Sequence, residues 1–134
     1  MTILYRTVLT LGGLLLIFMG SQFLIDPVGA GADFGLQVEG AHGLTSARAD
    51  FTSFFTVGGA CLIWGAWAKR RDPLLIGAAL MLVTLAARLM SLAVDGSFDG
   101  FIPPIVVEGV LGLTALGAAR AWRGNETVQP TMPE

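Results

Sequence analysis

The chain has 134 residues, room for one domain, of which 13% are charged and 54% hydrophobic. A water-soluble domain is about a quarter charged, so this surface is matched to lipid, in line with a mean hydropathy of +0.71. The formal net charge of −2 lacks the basic face a nucleic-acid partner requires. A single cysteine, Cys61, excludes a disulfide within the chain and a cysteine-pair metal or redox motif.

Four apolar runs follow in chain order: Thr7–Ile25, Phe51–Ala68, Leu74–Val94 and Ile102–Trp122. Each is about 18–21 residues long, enough for a helix to cross a hydrocarbon core about 30 Å thick. Backbone groups in lipid must be satisfied within their own segment, which selects helices. The expected fold is therefore all-α, an integral membrane bundle of four transmembrane helices occupying residues 1–123.

Local signals mark the ends. Asp26-Pro27 stops the first span, and a glycine-rich stretch with Gly29, Gly31, Gly35, Gly40 and Gly43 follows as a loop. The small-x-small triplet Ala30-Gly31-Ala32 has the form of a signal-peptidase site, but the preceding apolar run exceeds the usual 7–15 residues of a signal peptide, and we read it as a span. Thr45 and Ser46 are candidate N-caps for a helix leading through Arg48 and Asp50 into the second span. Asp72-Pro73 places a capping acid and an N1 proline at the third, and Pro103-Pro104 opens the fourth. From Gly124 onward the chain is polar with two prolines and reads as a disordered tail.

Lysine and arginine placement gives the orientation. Arg6, the run Lys69, Arg70 and Arg71, and the pair Arg120 and Arg123 all fall at one end of the bundle. The loops at the other end hold Asp26, Asp33, Glu39, Asp50, Asp95 and Asp99 against Arg48 alone. The positive-inside rule then puts both termini in the cytoplasm. Tyr5, Trp64, Trp67 and Trp122 lie at the same basic end, where amphipathic rings favour the headgroup level. The expected location is the inner (plasma) membrane of a bacterium.

Two charges interrupt the spans. Arg88 lies seven residues before Asp95 and Glu108 six residues after Ile102, so both sit roughly 9–10 Å below the far surface at 1.5 Å per residue. An unpaired charge in mid-membrane costs about 2.5–3.5 kcal/mol on insertion scales. Pairing removes most of that cost, and we expect an Arg88–Glu108 ion pair turned inward. Thr84, Arg88, Ser91 and Asp95 share one face of the third helix. Glu108, Gly112, Ala115 and Ala119 form a stripe on the fourth that is small below the glutamate, and Thr52, Thr56 and Ala60 form a small ridge on the second, both suited to close packing. Arg48, Asp50, Arg88, Ser91, Asp95 and Glu108 thus collect in the far half of the bundle.

Such a cluster has three readings. It can lock helices together in a purely structural or accessory subunit. It can bind a small amphipathic or anionic ligand or dock a partner, since intramembrane charges mark sites by default. It can also belong to a membrane enzyme acting on a lipid, quinone or isoprenoid, with Asp95 as the carboxylate free of arginine. The binding reading is favoured, with membrane lipids as the surrounding partners and homo- or hetero-oligomers left open. His42, alone in the glycine-rich stretch, reads as a surface residue; no cofactor or metal is expected.

Ser46-x-Arg48 leading to Gly58-Gly59, then Ala87-Arg88-Leu89-x-Ser91-Leu92, Asp95-Gly96 and Glu108 in the last helix form a pattern. Across about Thr7–Trp122 this resembles the small bacterial membrane proteins grouped as domain of unknown function 4345, and more distantly the four-helix DoxX-like proteins. The resemblance implies a four-helix inner-membrane bundle and no established activity. A site common to that family would fall here on Arg48, Arg88, Ser91, Asp95 and Glu108.

Overall fold

The computed structural model describes residues 1–123, and the tail expected from Gly124 onward lies outside them. Six α-helices follow in order: α1 (Thr2–Ile25), α2 (Pro27–Asp33), α3 (Gly40–Ser46), α4 (Thr52–Ala68), α5 (Arg71–Asp95) and α6 (Ile102–Ala121). A π-helical turn, Ala47–Phe51, joins α3 to α4 without a break. Four helical stretches are long and apolar enough to cross a membrane: Thr2–Ile25, Gly40–Ala68, Arg71–Asp95 and Ile102–Ala121. The protein is an all-helical, multi-pass membrane bundle.

Helix α1 packs along α4, α4 along α5, α5 along α6, and α6 closes the ring against α1. Leu9, Leu16, Phe23, Leu62, Leu74, Met81 and Leu111 fill the centre, each 3% exposed or less. The outward faces stay apolar, with Leu11, Phe18, Val83, Met90 and Leu113 exposed. Lipid solvates those faces as readily as the core does, so shape rather than hydrophobicity selects the inward residues.

Small residues provide that shape. A Cβ on Gly13 would stand 2.7 Å from the Gly59 carbonyl oxygen, and one on Gly59 would press on the Gly13 carbonyl oxygen. The two backbones therefore touch. Two residues of the small ridge of α4 meet the same helix: Thr52 Oγ1 donates to the Gly20 carbonyl (3.2 Å), and a Cβ on Gly20 would lie 2.6 Å from Thr56 Oγ1, whereas Ala60, expected with them, is exposed. On α6, Ala115 and Ala119 are fully buried, and a Cβ on Gly112 would lie 2.8 Å from Leu82 Cδ2.

The start of α1, the end of α6 and the α4–α5 turn share one end of the bundle. There Tyr5 meets Trp122 edge-on with ring centroids 6.1 Å apart. Lys69 adopts a left-handed conformation (φ 52°) that closes α4, and Arg70 N–H donates to the Gly65 carbonyl at 3.1 Å.

Three boundary expectations are corrected. The glycine-rich stretch is largely helical: the Asp26 carboxylate accepts from Gly29 N–H (3.0 Å), Pro27 opens α2, and Gly31 is buried against Val38. Capping and packing here outweigh glycine's low helix propensity. Thr45 and Ser46 are not N-caps; α3 begins at Gly40, and Thr45 Oγ1 donates back to the Ala41 carbonyl (2.8 Å) from inside the helix. Helix α5 begins at Arg71, so Asp72 and Pro73 sit within its first turn rather than at its boundary. An acid and a proline are both compatible with that turn, which is why the spacing did not distinguish the two placements. His42, expected in a loop, is exposed on α3.

Candidate functional site: an ion pair in the wall of an aromatic cavity

Arg88 on α5 and Glu108 on α6 form the only salt bridge among the described residues. Arg88 Nε donates to Glu108 Oε1 (3.1 Å) and Oε2 (3.2 Å), and Nη2 donates to Oε1 (2.7 Å). This is the fork geometry that a guanidinium offers a carboxylate. The glutamate side chain is 9% exposed and the arginine side chain 26%. Glu108 is also the one buried polar or charged residue among those described. The helices bring the two together because α5 and α6 are antiparallel neighbours and the residues stand at matched distances from the loop that joins them.

The asymmetry in exposure arises because Arg88 borders open space. A cavity of about 460 Å³ lies in the far half of the bundle, with walls from all four spans. Leu16 and Met19 come from α1, Phe51 and Asp50 from the π turn, Phe54 and Phe55 from α4, Met81 and Thr84 from α5, and Val107 from α6; Arg88 and Glu108 supply one wall. Phe34, just after α2, covers it by tilting against Phe23 (5.4 Å) and Phe55 (5.8 Å). Phe23 in turn stacks on Phe51 with centroids 4.5 Å apart and an interplanar angle of 14°. A second space of about 670 Å³ shares Phe34, Arg88 and Pro104 with the cavity and is rimmed by Asp33, Asp99 and Gly100. It forms a mouth towards the far end. A third, of about 410 Å³, lies beside α5 and the α5–α6 loop and is lined by Arg88, Ser91, Asp95 and Phe98, among others.

Arg88 is thus the residue common to all three spaces. Its Nη1 group makes no hydrogen bond within the described residues and is not sealed from the surroundings. The pair as a whole is close to neutral, yet it presents donor N–H groups to an apolar chamber. Asp33, Asp50, Asp95 and Asp99 stand around it. Thr84 Oγ1 donates to the Leu80 carbonyl (2.8 Å), which leaves its oxygen lone pairs as acceptors.

The six residues singled out from the sequence separate into groups. Arg88, Glu108 and Asp50 share the central cavity. Ser91 and Asp95 border the neighbouring space, where Ser91 Oγ donates to Asp95 Oδ2 at 2.5 Å. Arg48 stands apart from these spaces: its Nε donates to the Leu24 carbonyl (3.2 Å), tying the π turn to the last turn of α1. A helix C-terminus offers unpaired carbonyls that attract a guanidinium, and that attraction draws Arg48 to Leu24. The sequence reading missed the aromatic lining. The i, i+3, i+4 spacing of Phe51, Phe54 and Phe55 was its legible signal, hidden because phenylalanine is ordinary in a membrane span.

Residues 4–119 match the family described as domain of unknown function (DUF4345). The chain belongs to that family. Searches of curated proteins and of solved structures find no match. In this DUF4345 protein the matched segment takes in all but the outermost residues of the first and last spans, the ion pair and every residue of the central cavity.

The π turn bears directly on the cavity. It inserts one residue into the helical ladder just where Asp50 and Phe51 meet the chamber. Such insertions in membrane and soluble helices recur at functional sites. Asp50, Phe51, Phe54 and Phe55, three and four residues apart, then line one space at the junction of the π turn with α4.

Proposed function

We propose that this protein is a non-enzymatic, multi-pass protein of the bacterial inner membrane, with both termini cytoplasmic, that holds a small amphipathic molecule in the central cavity. The observation that carries this reading is a paired guanidinium with unused donors, set in the wall of an otherwise aromatic chamber. A purely structural ion pair has no need of such a chamber beside it.

The chemistry narrows the ligand. A full anion would meet a guanidinium already neutralised by Glu108 and would pass the acidic rim of Asp33 and Asp99. Like-charge juxtaposition of that kind is costly in a low-dielectric site. A neutral group with a hydrogen-bond acceptor, such as a carbonyl or ester oxygen, can accept from Arg88 Nη1 without that cost. The rings of Phe51, Phe54 and Phe55 and the thioethers of Met19 and Met81 suit an apolar or aromatic body. The volume is at the lower end of the range for small-molecule pockets, about 300–1,000 Å³, which favours a compact body over two full acyl chains.

Native mass spectrometry of protein extracted with its lipids tests the reading. A specific adduct should survive on the wild type and disappear from Val107→Phe, which adds bulk to the cavity while keeping both members of the ion pair. An adduct retained equally by both proteins would place the bound molecule elsewhere. No adduct on wild-type protein, after extraction in several mild detergents, would reject the reading and favour the structural role.

A further inference from the structure

The opposite end of the bundle carries a second polar constellation, unrelated to the cavity. Arg6 on α1 lies against the C-terminal turn of α4: Nε donates to the Ala66 carbonyl (3.3 Å) and Nη2 to the Trp67 carbonyl (3.4 Å). Its guanidinium carbon is 5.2 Å from the centre of the Trp67 ring. Trp67 Nε1 donates to Thr10 Oγ1 at 3.0 Å. These contacts fix both the arginine and the indole, and they frame a groove of about 360 Å³ between α1 and α4, lined by Ile3, Arg6, Thr7, Thr10, Leu11 and Trp67.

The groove is incomplete as it stands. Arg6 Nη1 has no partner among the described residues and is not sealed off. The Thr7 hydroxyl has no partner among them either. Thr10 accepts from the indole and keeps its own O–H to donate. Three donors thus face one space, and no described carboxylate lines it. Its walls are apolar: Ile3 is 81% exposed, Leu11 63% and Trp67 59%, all on the surface that meets lipid. Lys69 and Arg70 follow directly at the end of α4, and among the described residues this end of the bundle holds Arg6, Lys69, Arg70, Arg71, Arg120 and Arg123 against Asp72 alone. A phosphate meets donors and positive potential here, and the chains attached to it meet Ile3, Leu11 and the indole face.

We propose that the groove between α1 and α4 is a binding site for the phosphodiester headgroup of an anionic membrane phospholipid. Arg6 and the two threonines would hold the phosphate, and Trp67 would lie along the glycerol and upper acyl chain. A guanidinium held by two backbone carbonyls is already ordered, so little side-chain entropy is lost when the lipid arrives.

Trp67 provides the readout. In a Trp64→Phe background the remaining indoles are Trp67, exposed, and Trp122, buried at 7% exposure. Lipid whose acyl chains are brominated close to the headgroup should then quench Trp67 almost alone. Detergent-solubilised protein titrated with such phosphatidylglycerol should quench at lower lipid fraction than with the matching phosphatidylcholine. Arg6→Gln should weaken phosphatidylglycerol binding about fivefold, the effect of one basic residue at a charged interface. Thr7→Val, which breaks no contact within the protein, should weaken it about threefold and keeps the test open if Arg6→Gln misfolds. Arg120→Gln, an equal charge loss at the same end, should change it by less than about twofold. Equal quenching by the two lipids overturns the proposal. So does an Arg120→Gln effect as large as that of Arg6→Gln, which would assign the preference to diffuse charge. Displacement of the lipid by millimolar inorganic phosphate would make the groove a soluble-anion site and would also overturn it.

Discussion

Separating Arg88 from Glu108 is the most direct test of how the far half of the bundle is held. The charges meet through three hydrogen bonds of 2.7–3.2 Å. With charge centres about 4 Å apart, an effective dielectric of about 20 gives a gross attraction of about 4 kcal/mol. Arg88→Leu strands a carboxylate that is 9% exposed, and a buried charge without its partner costs about 3–5 kcal/mol. Glu108→Leu strands a guanidinium that is 26% exposed and borders three open spaces. Water can reach it there, and the expected loss falls to about 2 kcal/mol. The double replacement removes both charges and adds apolar volume, so it should lie within about 1 kcal/mol of the wild type. The resulting coupling energy is at least about 4 kcal/mol. Reversible unfolding by SDS in mixed micelles, followed by helical circular dichroism, measures all four corners of the cycle. A coupling energy below about 1 kcal/mol, or a double variant as unstable as Arg88→Leu, would refute the argument. The cycle also bears on the proposed ligand: the stable double variant should lose the adduct that the wild type retains.

Close packing of α1 and α4 predicts that Gly59→Ala costs about 1–3 kcal/mol, because the new methyl group presses on the Gly13 carbonyl and comes within 2.9 Å of Ile17 Cγ1. Gly43→Ala should instead be neutral or stabilising by up to about 1 kcal/mol, since the nearest atom would be Val38 Cγ1 at 3.8 Å and helical alanine is favoured over glycine. The same SDS titration distinguishes them, and equal effects would contradict the packing. For orientation, Cys61→Ala removes the one native thiol. In that background Ser97→Cys should react with a membrane-impermeant maleimide added to intact cells, and Arg70→Cys only after lysis; the reverse pattern would invert the topology.

Much of this architecture was written in one dimension. Four long apolar runs with few charges require four helices, because lipid supplies no hydrogen bonds to a backbone. The matched offsets of Arg88 and Glu108 from the α5–α6 loop placed them at one depth, since helical rise is fixed per residue. The small stripe of Gly112, Ala115 and Ala119 on α6 marked a close approach because only small side chains permit one.

Other features depended on what each side chain finds in space. Arg48 and Arg88 look alike in the sequence, yet one turns to the Leu24 carbonyl and the other to Glu108. A guanidinium takes the nearest unsatisfied acceptor, and that choice is set by how helices from distant parts of the chain are placed. The helical character of Pro27–Asp33 and Gly40–Ser46 was hidden for the same reason: glycine's weak propensity is overridden by capping at Asp26 and burial against Val38. The cavity belongs to this second class as well. No single span encodes a void; it appears where Leu16, Phe34, Phe55, Met81 and Val107 come close without filling the space between them. Hydropathy along the chain fixes which segments lie in lipid, because each residue's transfer into hydrocarbon depends on its own composition. Packing between spans fixes the space that is left, because that depends on atoms far apart in sequence.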